Sequence, residues 1–166
     1  MKHTKSALFL LLCAACIAPI DSFADFEQKH ELRKSGIDAI LAGDETKGIA
    51  LLKEGSIGER DSTEFRLKYC KSLVRAARRL VESDQYDRAV ALAQTALTEL
   101  NTVLGTLGAD EIGAKTRCYY LKGYLYKRVL FDDAGAYREL KAGFDLDPED
   151  TSINRAMERI PKQLRD

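Results

Sequence analysis

Acid–base and nucleophilic catalysis draw on histidine, on paired carboxylates, or on a cysteine beside a base. This 166-residue chain has two histidines, His3 and His30, and four cysteines, Cys13, Cys16, Cys70 and Cys118. His30 stands alone and reads as a solvated side chain. Once residues 1–24 are set aside as a leader, Cys70, Cys118 and His30 fall short of the four ligands zinc normally takes. The acidic pairs Asp132-Asp133 and Glu149-Asp150 fall where helices begin. There the bare N–H groups and the helix dipole favour carboxylates, so capping explains them. No G-x-S-x-G, phosphate-cradling glycine loop or H-E-x-x-H occurs. The expectation is a protein without a catalytic centre, a metal or a cofactor. One charge pattern stands out: Lys71, Arg75 and Arg78 recur at four- and three-residue steps, which puts three cations on one helical face. Such a stripe suits carboxylate binding through charge-assisted hydrogen bonds, and equally an ordinary solvated face.

Composition narrows the partners. With 26 basic and 26 acidic residues the chain is formally neutral, which argues against a dedicated nucleic-acid binder. Its 45% hydrophobic and 31% charged residues fit a folded domain rather than a disordered one, and the length suits one domain.

The first 24 residues read as a secretory signal peptide. Lys2 and Lys5 precede the apolar run ALFLLLCAACIAPI, and Ser22-Phe23-Ala24 supplies the small residues of a cleavage site. That run is too short to span a bilayer comfortably as a helix. Cleavage after Ala24 is expected to leave a mature domain over residues 25–166, delivered across the inner membrane to the periplasm. A competing reading is a lipoprotein anchored at Cys16, behind Ala14 and Ala15, although Cys13 stands where a lipobox carries Leu. Without Lys2, Lys5 and Asp21 the remainder keeps 24 basic and 25 acidic residues.

Helix signals fill the rest. Leu32, Gly36, Ala39 and Ile40 share a face that Gly43-Asp44 closes, and Ile49, Leu51 and Leu52 form a second stripe ending near Gly55. Asp61 with Glu64 resembles a capping box. It opens a helix carrying Phe65, Tyr69, Leu73, Ala76, Ala77 and Leu80, which breaks at Ser83-Asp84-Gln85. Tyr86, Ala89, Ala93, Ala96, Leu97, Leu100 and Leu104 continue the period towards Gly105 and Gly108. Asp110 is the expected cap of the next helix, Asp132 of a shorter one ending at Pro148, and Asp150 of a last one with Ile153, Met157 and Ile160. Strand alternation and hairpin turn signals are lacking, so the expected class is all-α with about seven helices.

These helices overlay as pairs. Gly36 and Gly48, Ala77 and Ala89, then Gly123 and Ala136 set small residues in facing helices, where close approach requires them. On these residues the chain resembles the tetratricopeptide repeat family, best in Tyr119, Gly123, Tyr126, Ala136, Leu140 and Pro148. Leu73, Ala76-Ala77, Leu80, Ala89, Ala93 and Ala96 form a second, looser match, and Leu32, Gly36, Ala39, Gly43, Gly48, Leu52 and Gly55 the weakest. The repeats are degenerate: Lys122 replaces the expected Leu, and they are spaced well beyond the family's usual length. The resemblance implies a right-handed superhelical solenoid of about three helix-turn-helix repeats, with the Ile153–Ile160 helix as a cap. It also implies that first helices line a concave groove, here Arg33, Lys34 and Ile37, then Lys71, Arg75 and Arg78, then Arg117, Tyr120, Tyr124 and Lys127. A basic groove with tyrosines suits an acidic peptide or a terminal carboxylate. The expected function is an exported interaction module or adaptor. The alternatives are an accessory subunit of an envelope enzyme and a lipid-anchored structural component. Cys70 and Cys118 would lie on neighbouring first helices, as a disulfide or as two buried thiols.

Overall fold

The computed structural model describes residues 20–56 and 62–164, and the regular elements among them are all helical. They are α1 (Ile20–Ala42), α2 (Glu45–Glu54), α3 (Thr63–Glu82), α4 (Tyr86–Thr106), α5 (Ile112–Arg128), α6 (Asp133–Leu146) and α7 (Thr151–Glu158), followed by a 3-10 turn, Lys162–Leu164. The lipidation candidate Cys16 and most of the expected leader lie outside the described residues. The last five leader positions, 20–24, form the start of α1, which runs on past Ala24.

Each break has a local cause. Gly43 takes φ 101°, a left-handed conformation that costs glycine little, and the Asp44 carboxylate then caps α2 by accepting from Lys47 N at 3.0 Å. The turn between α3 and α4 uses Asp84 at φ 57°, that between α5 and α6 Phe131 at φ 54°. Asp132 accepts from Gly135 N at 2.8 Å, and Asp150 accepts from Ser152 N and Ile153 N at 2.8 Å, so both expected caps form. Two others differ. α3 starts behind Ser62, whose side chain makes no cap bond, and Asp61 lies outside the described residues. α5 starts behind Glu111 rather than Asp110. The Glu111 carboxylate turns back to accept from Gly108 N at 2.9 Å, closing the loop before the helix instead of capping it.

The packing is pairwise and sequential. α1 lies against α2, α3 against α4 and α5 against α6. Among the described residues α1 also touches α3, α3 touches α5 and α5 touches α7, while the first hairpin makes no contact with α5 or α6. Small residues permit the tight crossings. A Cβ on Gly36 would meet Gly48 O at 2.8 Å, and one on Gly48 would meet Gly36 O at 2.7 Å. In the third hairpin a Cβ on Gly123 would strike Leu140 Cγ at 2.6 Å. The second hairpin uses Ala77 and Ala89, both fully buried.

One core runs through α1–α5, centred on Ile40, Leu52, Leu73, Leu80, Leu100 and Leu125, and a smaller one joins Ala136, Leu140, Ile153 and Ile160. Polar contacts tie neighbours together. Arg88 of α4 donates to Glu45 at 2.5 Å, to Gln85 and to the Ile40 carbonyl, fastening the second hairpin to the first. Lys122, the residue standing where the repeat pattern expects Leu, pairs with Glu139 at 2.8 Å with both side chains largely covered.

Candidate functional site

Turns of 3.6 residues bring positions 71, 75 and 78 of α3 to one face, and its opposite side is buried through Leu73, Ala76, Ala77 and Leu80. Lys71, Arg75 and Arg78 are therefore held outward by the same amphipathicity that anchors the helix. α5 lies alongside and offers Arg117, Tyr120, Tyr124 and Lys127, while α1 flanks the other side with Arg33, Lys34 and Ile37.

These side chains line a chain of shallow hollows. One of about 180 Å³ sits between α3 and α5, with Val74, Leu121, Tyr120 and Tyr124 below and Lys71, Arg75 and Arg78 at the rim. A second, about 250 Å³, lies between α1 and α3 and is bordered by Arg33, Lys34, Ile37 and Arg75. A third, about 400 Å³, joins Lys71, Arg117 and Tyr120 to Asp150 and Ser152 at the start of α7. Lys127 stands further along, in a cleft it shares with Arg78 and Tyr124.

The cations differ in how far they are engaged. Arg33 donates to the Gly55 carbonyl, and burial, then the charge of Arg75, holds its pKa below the usual arginine value. Arg78 Nε donates to Glu82 at 2.7 Å; bonds to Glu82 and then Tyr124 push its pKa up. Lys127 binds Asp133 at 2.6 Å, and Lys34 lies 3.9 Å from Glu31 on the exposed surface. Lys71, Arg75 and Arg117 have neither an ion pair nor a side-chain hydrogen bond among the described residues. Arg117 reaches Glu64 only through space: a bond to Lys68 first, and more weakly the Arg117 charge, lowers that carboxyl's pKa. Ile37 is 4% exposed and belongs to the core, so it supplies the floor of its hollow rather than a free surface. The rings of Tyr120 and Tyr124 are 6.4 Å apart and tilted by 43°.

Sequence reasoning missed Val74 and Leu121 as floor residues, because apolar positions on a helix read as core wherever they fall. It also missed Asp150 and Ser152, which reach this face only because α7 folds back onto α5.

Cys70 and Cys118 are free thiols, both fully buried in the α1–α5 core. Burial pushes Cys70 up to about 12, with the nearby Cys118 adding to the effect, and Cys118 up to about 11. Neither supplies a thiolate near neutral pH. Among the described residues no helix is long and apolar enough to cross a membrane, and no three metal-ligating side chains come together. Comparison with protein-family models, with curated proteins and with solved structures returns no match.

Proposed function

We propose that this chain is an exported protein-interaction module, a right-handed superhelical stack of three tetratricopeptide-like hairpins capped by α7. It holds an acidic segment of a partner protein across α1, α3 and α5. The observation that carries this reading is the row of unpaired cations Lys71, Arg75 and Arg117 beside the half-buried Tyr120 and Tyr124. Cations on one face that make no ion pair among the described residues favour an anionic guest. The four-residue step from Lys71 to Arg75 rises about 6 Å, close to the ~6.6 Å between alternate side chains of an extended peptide. Nearest-neighbour packing of the hairpins and the small-residue crossings support the stacked repeat. Residues 1–24 deliver the chain to the periplasm. Lipid attachment at Cys16 is the competing outcome, and the mass of the mature N-terminus separates the two.

The test is fluorescence anisotropy of a labelled glutamate-rich peptide, titrated with the protein and with a Lys71→Glu plus Arg75→Glu variant. Both positions are exposed and outside the core, so the variant keeps its helical circular dichroism. Binding that weakens with salt and falls at least about tenfold in the variant is expected from two charge-assisted contacts. No binding, or equal binding by the variant, overturns the reading.

A further inference from the structure

A hollow of about 770 Å³ adjoins the peptide face, where the ends of α3, α5 and α7 meet the turn between α5 and α6. Its walls carry four cations, Arg78, Lys127, Arg128 and Arg159, against two carboxylates, Glu82 and Asp133. Both carboxylates are already taken: Glu82 by Arg78 at 2.6 Å and Asp133 by Lys127 at 2.6 Å. Arg128 ends α5 and Arg159 follows directly on α7, and neither has an ion pair among the described residues. Two uncompensated guanidiniums thus border one cleft, and guanidinium forks match phosphate oxygens in pairs.

The second observation is aromatic. Phe131 lines the same cleft and is 65% exposed, at φ 54°. A bulky residue in the left-handed region costs of order 1 kcal/mol, and such strain gathers at ligand sites. The ring is not left loose. Tyr86 packs against it with centroids 6.4 Å apart and planes tilted by 58°. The Tyr86 hydroxyl donates to Asp84 at 3.1 Å, and Asp84 is itself left-handed, at φ 57°. Two left-handed turns, in adjacent hairpins, therefore set an exposed aromatic pair beside two spare arginines.

We infer that this cleft is a small-molecule site for a phosphate monoester that carries a planar ring, the chemistry shared by nucleotides and aryl phosphates. The phosphate sits between Arg128 and Arg159, and the ring lies against Phe131, which Tyr86 backs. The inference does not rest on peptide binding, because Arg128, Phe131 and Arg159 are outside the residues assigned to the peptide.

The test is isothermal titration of the purified protein with four probes: adenosine monophosphate, phenyl phosphate, inorganic phosphate and adenosine. Both ring-bearing phosphates are expected to bind, and each more tightly than phosphate or adenosine alone. Arg128→Ala and Arg159→Ala should each weaken the monophosphate by about tenfold or more. Phe131→Gly should weaken it about threefold to tenfold and leave inorganic phosphate unchanged. Glycine accepts the left-handed turn, so that variant should melt no lower than the parent, which separates ring loss from misfolding. Lack of binding by any probe overturns the site. Phosphate binding as tightly as the monophosphate overturns the role of the ring, and adenosine doing so overturns the role of the arginines. Lys71→Glu plus Arg75→Glu should leave the monophosphate affinity unchanged, so this result and the peptide result fail independently.

Discussion

Alanine at position 48 adds one methyl group where two helices touch by their backbones. Its Cβ would strike Ile40 Cγ1 and would lie 2.7 Å from Gly36 O and 2.9 Å from Ile40 N. The Ile40 side chain has some freedom to shift, but the two backbone atoms do not. Ordinary contact begins near 3.4 Å, so α1 and α2 must part by roughly 0.5–1 Å, which forfeits a quarter to a half of each dispersion contact across the seam. Ile40 and Leu52, fully buried there, share that loss. Overpacking of this kind costs about 3 kcal/mol at its upper end, against a helix-propensity gain of about 1 kcal/mol for replacing glycine. The net loss is about 2 kcal/mol, or roughly 6 °C in melting temperature for a domain of this size. Gly105, in the last turn of α4, is the control: a Cβ there meets nothing within 4 Å. Gly105→Ala should therefore stabilise by about 0.5 kcal/mol. Urea unfolding followed by circular dichroism measures both changes. A Gly48→Ala variant as stable as the parent, or more so, would refute the close crossing of α1 and α2.

Arg88→Met removes the bonds to Glu45, Gln85 and the Ile40 carbonyl and should cost about 2 kcal/mol. Hydrogen exchange should then find α1 and α2 opening before the other hairpins. Asp150→Ala strips the cap of α7 and should cost about 1 kcal/mol, read from the urea midpoint. Thr116 is buried with an unpartnered hydroxyl, so Thr116→Val should stabilise by about 1 kcal/mol in the same assay. Alkaline stability should be set partly by the cysteines. Folded thiols that resist ionisation until about 11 and 12, against 9 as the reference value, keep their protons while the unfolded chain loses its own. Their contribution is complete below pH 9. It falls by up to about 1.4 kcal/mol per pH unit per thiol as pH rises through 9 towards those values. Cys70→Ala with Cys118→Ala should flatten that limb, leaving the part due to Tyr69, which burial raises to about 12. Titration of the unfolded, unreduced protein should find both thiols free; a disulfide would leave neither.

The helical class, the seven segments and the small-residue crossings were legible in the sequence, because helix periodicity, left-handed glycine and aspartate caps act within a few residues of chain. Gly36 with Gly48 and Gly123 with Ala136 could be paired from spacing alone, since a hairpin of fixed loop length sets which turns face each other. The stripe of Lys71, Arg75 and Arg78 was equally local, being a property of one helix. Its neighbours were not local. Which cations remain free depends on partners distant in sequence or across a turn: Gly55 takes Arg33, and Asp133 takes Lys127. Asp150 and Ser152 join the peptide face, and Arg159 the second cleft, only because α7 returns to α5 and α6. Nothing in the sequence marks Phe131. Its exposure comes from a backbone conformation that no periodicity encodes, and its pairing with Tyr86 from the stacking of one hairpin on the next. Local rules act through hydrogen bonds and sterics along one helix, whereas a site assembled between helices is fixed by how their buried faces fit.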